Sequence, residues 1–574
     1  MQRRDFLRYG SGGVLGVGAA LQSITSAQSA STLDELRVAD PTDEVVFVSG
    51  RDAPGDGGGG FFVWSESRNP DEYDRGTGKA EKALYVRSVN SDAGIWLRVS
   101  EQAHIDVRWF GAGSEGTRED SQAINEALWV SGASNVLHTY IPEDTYSITD
   151  PIRITDWGSG HLIRGDGILS TKLEKQGEET VTLPDGTPQT VDACLAIDRF
   201  DTGKEIVDFY GAEIRDLSLV GAKDSPSSES HGCGIYIKGA NRLEIERVQF
   251  SYFSTALFAR KLWMSSLKHL KAAHVGRFIV VGGTEQMLDA SKSNHDSEEP
   301  DNFPGVPSST SLRIANCFCT RNVHGDAFFL NKVFYSTLLN CGADHVRGWP
   351  YHIRRSRGVT LQGCGFEWSE SGCGVWFEGS SGTVIGIQGL NIHPNRTEQD
   401  GTTPLRLSED VYGRGSSVTL MNSYLGEFVD EKNQQLDPSE IKGSDNPNLR
   451  LSGTSRLVIV DSRITRNGED ALDSEEGREA QLVVHGGNLA QNSGLQVHDF
   501  DEGRSGLTPS VKLGGEGVSV SGDPVVGERK DAVGRLDMEV EDTYDPEQLR
   551  AVRDKLNEVL DVLGGSSGHG LTDD

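Results

Sequence analysis

The chain has 574 residues, 69 of them glycine and only 5 methionine, with 86 acidic against 55 basic side chains and a net charge of −31. That balance argues against nucleic acid and anionic membrane surfaces as partners, because both repel an acidic chain. The length exceeds what one compact core can bury, but suits a solenoid that grows by stacking each repeat on its neighbour.

The first residues, Met1-Gln-Arg-Arg-Asp-Phe-Leu-Arg8, lead into an uncharged stretch from Tyr9 to Ala30 rich in Gly, Ala, Val and Leu. Arg3-Arg4, then Phe6-Leu7, then a weakly apolar core is the pattern of a twin-arginine export signal. Cleavage is expected between Ala27 and Ala30. The core is too short and glycine-rich to span a membrane, and no other span is predicted after it. Residues 1–30 are therefore read as a signal peptide, and the expected location is extracellular or cell-surface. The acids are spread along the whole chain, as in proteins of brines, where salt screens self-repulsion. A haloarchaeal origin suits both features; an ordinary acidic surface is the other reading of the charge.

Residues 31–100 read as a small β-rich module containing Val45–Val48, Gly55-Asp-Gly-Gly-Gly-Gly-Phe-Phe-Val-Trp64 and Gly94-Ile-Trp-Leu-Arg98. Next comes Asp106-Val-Arg-Trp-Phe-Gly-Ala-Gly, an acidic capping region at Glu119, Asp120 and Ser121, and Ile124, Ala127 and Leu128 at helical spacing. From about residue 243 an internal repeat appears, apolar-x-apolar-x-x-small-x-apolar. Its copies include Leu243/Ile245/Val248/Phe250, Leu312/Ile314/Cys317/Cys319, Leu338/Cys341/Ala343, Val359/Leu361/Cys364/Phe366 and Ile385/Ile387/Leu390/Ile392. Later copies are Val418/Leu420/Ser423/Leu425, Leu457/Ile459/Ser462/Ile464 and Leu482/Val484/Gly487/Leu489. Starts at 312, 336, 359 and 385 lie 23 to 26 residues apart, which is one circuit of a three-sided parallel β-helix at ~3.3 Å per strand residue plus turns. Polar, aperiodic insertions at 285–311, 397–415 and 428–449 read as loops.

The seven cysteines are Cys194, Cys233, Cys317, Cys319, Cys341, Cys364 and Cys373. They form no paired CxxC motifs, so a zinc site is not predicted. Cys317, Cys341 and Cys364 are expected to stack as small interior fillers. Residues 505–544 read as a Gly-rich β tail. Asp545-Pro-Glu opens a helix that Gly564-Gly565 stop, with Leu549, Val552, Leu556, Val559 and Leu563 at seam spacing. This helix, 545–563, either docks on its own chain or helps to assemble a homotrimer.

The opening strand–turn–helix at 106–128 resembles the first module of the pectate-lyase-like (rhamnogalacturonase/epimerase-type) right-handed parallel β-helix superfamily. Ile141-Pro-Glu-Asp-Thr-Tyr-Ser-Ile148 and Ile163-Arg-Gly-Asp-Gly-Ile-Leu-Ser-Thr-Lys-Leu173 resemble the superfamily's next two blocks, in order. The 31–100 module resembles the leading strands of viral tailspikes. The resemblance implies an all-β, right-handed, single-stranded parallel β-helix over 101–504, a small N-terminal β module and a C-terminal helix. It does not transfer catalytic residues. The polygalacturonase strings NTD, DD, GHG and RIK do not occur intact, and neither do the pectate-lyase WiDH and RxPxxR.

Register supplies the candidate chemistry. The third position after each interior small residue holds Ser251, Thr320, Asp344, Glu367 and His393. Asp344 and Glu367 should therefore be neighbours on adjacent rungs, roughly 5 Å apart. That is near the separation of about 5–5.5 Å used by retaining glycosidases. Two such carboxylates do not both ionise easily, so one can serve as a general acid. Residues 324–393 also concentrate His324, Asp326, His345, Arg347, Trp349, His352, Trp368 and Trp376. Flat aromatic faces beside carboxylates and arginine are what a carbohydrate site needs.

The expected catalytic group is Asp344, Glu367, His345 and Asp326. His324, Arg347, Trp349, Trp368 and His393 are expected to bind substrate. The expected function is an exported glycoside hydrolase or polysaccharide lyase acting on an acidic polysaccharide; the alternative is a non-catalytic, tailspike-like glycan-binding adhesin. No metal ligand set is predicted, and no cofactor, although a lyase could use calcium.

Overall fold

The computed structural model describes residues 28–464 apart from internal stretches, the longest being 198–208, 222–231, 284–306, 391–403 and 426–448, together with short strands between 472 and 524. The expected signal segment up to Ala27, nearly all of the glycine-rich tail and the expected helix at 545–563 lie outside the described residues.

The N-terminal module is a five-stranded sheet. Its first strand, Gln28–Ala30, pairs in parallel with Val46–Val48, so the module begins inside the segment that the sequence assigns to the signal. Gly60–Ser65 runs antiparallel to Val45–Val48 and to Ile95–Val99. Phe62, Val86, Trp96, Leu33 and Leu36 form its core. The glycine run explains itself around Arg98, whose guanidinium donates to the carbonyls of Gly58, Gly59 and Ala83. Arg98 also lies 4.6 Å from the Phe62 ring and 4.7 Å from the Trp109 ring. A Cβ on Gly59 would lie 2.3 Å from the Val48 carbonyl oxygen, so only glycine lets the chain close on the arginine. Burial lowers the Arg98 pKa to about 9. Trp109 belongs to the solenoid's opening turn, so this arginine ties the two parts together.

The helix Asp120–Ala133 caps the solenoid. Glu119 accepts from the Ser121 and Gln122 amides, and Ala123, Ile124, Ala127, Leu128 and Val130 are buried in the main core. Asp120, also buried, accepts from Gly113 N and Ser147 N and so fastens the cap to the first coil.

Beyond the cap the chain winds as a right-handed parallel β-helix, the hand that twisted strands joined by parallel crossovers adopt. A 28-stranded sheet wraps two faces, and a 14-stranded sheet forms the third. The first face carries Ile314, Leu338 and Leu361 inward on successive coils. The second carries Cys319, Ala343 and Phe366. The third carries Phe328, Tyr351 and Val375. Alternation of inward apolar and outward polar residues is the period-two pattern of a strand buried on one face.

Corners break the ladder, and the chain repairs them with small polar residues. Ser356, Ser380, Ser416 and Ser455 form a buried column in which each hydroxyl accepts an amide from the preceding coil. Between the first and second faces, Asn316, Asn340, Gly363, Gly386 and Asn422 hold the left-handed conformation that the bend requires. Cys317, Cys341 and Cys364 stack inside this corner, fully buried, as their shared repeat position implies. Burial raises the Cys319 thiol, and hydrogen bonding between neighbouring thiols with burial raises Cys341, which keeps both protonated.

One coil departs from the sequence reading. Leu361 pairs with Val384, and Phe366 with Gly389, so the inward set is Gly382, Val384, Ile387 and Gly389. Expecting Ile385, Ile387, Leu390 and Ile392 in those four positions places each three residues too late, an odd slip that takes Ile385 and Leu390 out of the inward set while Ile387 stays inside; Ile392 lies outside the described residues. The cause is that aromatic rings fill the space of two inward glycines. A Cβ on Gly389 would lie 2.4 Å from Phe366 Cζ, and one on Gly382 2.9 Å from Phe377 Cε1. The coil through Leu267, Leu270 and Ala272 is a further full turn that the apolar repeat does not reveal.

Candidate functional site

Asp344 and Glu367 are paired in register on Gly342–Val346 and Gly365–Glu367 of the second face. Their column runs Ser251, Ala273, Thr320, Asp344, Glu367, Leu390. This is the predicted ladder, with Leu390 in the slot expected for His393. His393 and His324 both lie outside the described residues.

Asp344 is half-buried. Its Oδ2 accepts from Thr320 Oγ1 at 3.3 Å, and its Oδ1 lies 2.7 Å from His345 Nδ1. Glu367 is exposed. Two residues before each carboxylate, on the same outward side, stand Gly342 and Gly365. The exposed Phe318 ring covers Gly342, with Cδ2 2.7 Å from where a Cβ would be. Over Gly365 nothing comes nearer than the Gln388 carbonyl oxygen at 3.4 Å. The result is a strip of bare backbone floored by Gly365 and edged by Phe318 on one side and the two carboxylates on the other.

His345 and Trp368 follow the carboxylates directly. Both hold φ of 54°, where a bulky side chain costs about 1 kcal/mol, and their rings stack with centroids 5.8 Å apart. In the same coils the preceding corner uses Asn340 and Gly363, the residue types that tolerate this conformation. Strain of this kind gathers at functional sites. A bulge between Thr320 and Val323, opposite Asp344–Val346, adds local distortion. Arg347 is exposed in the turn that follows.

Two expected members are elsewhere. Trp349 is 1% exposed and packs against Trp376, centroids 5.2 Å apart, so it offers no face to a substrate. Its place in the turn before the third face puts its large apolar ring under neighbouring coils rather than over the second face. Asp326 is also buried, and its oxygens are engaged: Oδ1 accepts from Trp349 N at 2.9 Å, and Oδ2 lies 2.8 Å from His352 Nδ1. It is part of a separate network.

That network was missed by sequence reasoning. His352 lies between Asp326 and Glu378, with Nε2 3.4 Å from Glu378 Oε2, and Arg354 Nε donates to Glu378 at 3.1 Å. Trp376 stacks on His352 with centroids 4.2 Å apart, and Arg406 lies over Trp376 at 4.6 Å. Burial would lower the His352 pKa, but hydrogen bonds and charge from both carboxylates raise it above its usual value. Burial would raise Glu378, but His352 and Arg354 hold it below the usual carboxylate range. With both ring nitrogens engaged, His352 has no nitrogen left to act as a base, and the cluster clamps three successive coils together. The signal was present in sequence: Tyr351-His-Ile-Arg354 and Val375-Trp-Phe-Glu378 stand one coil apart in register.

No family model and no curated protein matches the chain. Solved structures do. The Acinetobacter phage vb_AbaP_AS12 gp42 tailspike is 16% identical over 85% of this chain and 80% of its own, with a TM-score of 0.57. Tailspike protein 2 of the Escherichia coli O157:H7 bacteriophage CAB120 is 13% identical over 81% of this chain and 53% of its own, TM-score 0.48. A Pantoea stewartii glycan biofilm modifying enzyme with a tailspike-like parallel β-helix fold is 16% identical over 68% and 52%, TM-score 0.44. At such identity the likeness to the first of these establishes the fold. Fold and site together define a tailspike-like parallel β-helix with a carboxylate pair on one outer face.

Proposed function

We propose that the protein is an exported glycan-cleaving enzyme, a retaining glycoside hydrolase, whose reacting groups are Asp344 and Glu367. The observation that carries this reading is their in-register pairing on adjacent parallel strands. Neighbouring strands lie about 4.8 Å apart, near the separation of a nucleophile and acid/base pair in retaining enzymes. Asp344, half-buried and accepting from Thr320 Oγ1, with His345 Nδ1 close to its other oxygen, suits the fixed nucleophile. Glu367, exposed and reached by solvent, suits the acid that protonates the leaving oxygen and then activates water. Gly365 leaves room for a sugar ring beside them, and the His345–Trp368 stack gives it an apolar face.

The test is a panel of acidic and neutral polysaccharides in molar salt. New reducing ends without unsaturated ends support hydrolysis, and unsaturated ends would mean a lyase. Among the described residues no three His, Cys, Asp or Glu side chains converge as a metal site; calcium belongs to the lyase reading, and a chelator would then abolish activity. Asp344→Asn and Glu367→Gln should each remove turnover by about 10²-fold or more and leave melting unchanged.

A non-catalytic glycan binder is the second reading, favoured by the flat rings beside the pair. Binding without any cleavage across the panel would select it. We also propose a homotrimer, with the monomer as alternative, to be settled by light scattering with and without residues 545–574. No described helix is long and apolar enough to cross a membrane.

A further inference from the structure

The second face ends, coil after coil, on a residue in the left-handed region: Tyr252, His274, Arg321, His345 and Trp368, with φ between 54° and 63°. They are neighbours along the solenoid. Tyr252 N bonds to His274 O at 3.0 Å, and His274 N to Arg321 O at 3.1 Å. The pairings Thr320 to Asp344 and Asp344 to Glu367 carry the column on to His345 and Trp368. Five rungs span roughly 19 Å.

The chemistry of this column is uniform in one respect: every side chain ends in a flat group. Tyr252 and His274 stack with centroids 5.4 Å apart and planes 4° from parallel, and His345 and Trp368 stack at 5.8 Å. Arg321, between the pairs, is exposed and sits on the bulge. No ion pair joins it to a carboxylate among the described residues, in a chain of net charge −31. The flanking column changes character midway. Ser251, Ala273 and Thr320 are uncharged, and Asp344 and Glu367 are the carboxylates.

We propose that this column is a binding track for an extended anionic glycan lying along the solenoid axis. The rings lie against its sugar faces, and Arg321 with the two histidines meets its acidic groups. The uncharged flank marks the stretch that binds, and the carboxylate flank marks the stretch where the chain is cut. This rests on the proposed glycan-cleaving role of Asp344 and Glu367; to the acidic polysaccharide expected from the sequence it adds the residues that hold it and its direction on the protein. Most binding positions then lie on one side of the scissile bond.

The test separates the track from the chemistry. Asp344→Asn protein, intact otherwise, is titrated by calorimetry with hexamers of galacturonate, of alginate and of hyaluronate, and with a neutral maltohexaose. At least one acidic hexamer should bind, and more tightly than the neutral one. Adding Arg321→Gln should weaken that binding about tenfold, and Tyr252→Ala should weaken the hexamer about tenfold but leave the matching disaccharide unchanged. In the active enzyme the same two changes should raise KM and spare kcat. Failure of all three acidic hexamers to bind overturns the track, as does binding indifferent to both substitutions in proteins whose melting is unchanged. Binding with the expected dependence but no cleavage by the active chain would instead sink the catalytic reading and leave the track standing.

Discussion

Gly389→Ala distinguishes the observed register from the one the apolar pattern suggests, and it does so by sign. Gly389 points inward and pairs with Phe366. An added methyl would lie 2.4 Å from Phe366 Cζ and 2.9 and 3.0 Å from its Cε atoms, about 1 Å inside ordinary contact. The ring is buried among core side chains and has little room to withdraw. Overpacking of this kind costs about 1–3 kcal/mol. A 2.4 Å approach to a buried ring belongs in the upper half of that range, about 2–3 kcal/mol; alanine in place of glycine in a strand returns about 0.5–1 kcal/mol, which leaves a net loss of roughly 1–2.5 kcal/mol. Phe366→Leu alone should cost about 1–2 kcal/mol through the cavity it opens, while the double variant should recover most of the Gly389→Ala loss, a coupling above about 0.5 kcal/mol. Phe366 stands between Gly365 and Glu367, so Gly389→Ala should also lower turnover, and the double variant should restore part of it. Denaturant unfolding of the four proteins measures this. If Gly389→Ala is neutral or stabilising, the glycine faces out and its pairing beneath the Phe366 ring is wrong.

Filling the groove floor by Gly365→Leu should abolish turnover and leave melting within about 0.5 kcal/mol of wild type, since the position is open to solvent; retained activity would move the substrate off this face. The clamp predicts a pH signature. The His352 pKa is raised in the fold, so its stabilisation is complete below the usual imidazole value of about 6.5 and is lost as pH rises through the folded value. Glu378 is lowered, so its contribution is present above its ordinary 4.5 and is lost as pH falls through the folded value. Thermal melting of His352→Gln against pH should lack the alkaline decline that wild type shows; equal slopes would mean that His352 carries no such stabilisation. Arg98→Lys keeps the charge but loses the planar fork between Phe62 and Trp109, and should loosen the N-terminal module by about 2 kcal/mol or more, read as faster proteolysis of residues 28–100 with the solenoid intact. Under the proposed export, Gln28–Ala30 being a strand of that module puts the cut just after Ala27 within the expected window; N-terminal sequencing of exported protein that begins after Ala30 would contradict this.

The solenoid and its carboxylate ladder were legible in sequence because each coil repeats apolar positions at a fixed spacing. That periodicity alone places Ser251, Thr320, Asp344 and Glu367 in one column. It fails where a ring from the preceding coil fills an inward slot, as Phe366 does over Gly389, because a glycine there gives an apolar pattern nothing to register. Exposure was harder to read than register. Trp349 and Trp368 are the same residue type nineteen positions apart, yet one is sealed beneath Trp376 and the other stacks on His345 at the surface. The difference comes from which coil packs over which turn, and composition does not contain it. The His352 clamp was missed because its partners are one coil away in each direction, Asp326 before and Glu378 after. Arg321 and the bare backbone at Gly365 lay outside any motif; only the paired strands show that they border the carboxylates.

The central claim, that Asp344 and Glu367 act as nucleophile and acid/base, is tested most directly by the anomeric configuration of the first-formed product. Magnetic resonance can follow it on whichever glycan the panel identifies, before mutarotation. Adjacent-rung carboxylates predict retention, through a covalent sugar–Asp344 intermediate that then hydrolyses. Inversion would require a water between groups about 6.5–9.5 Å apart, and would contradict the assignment of this pair.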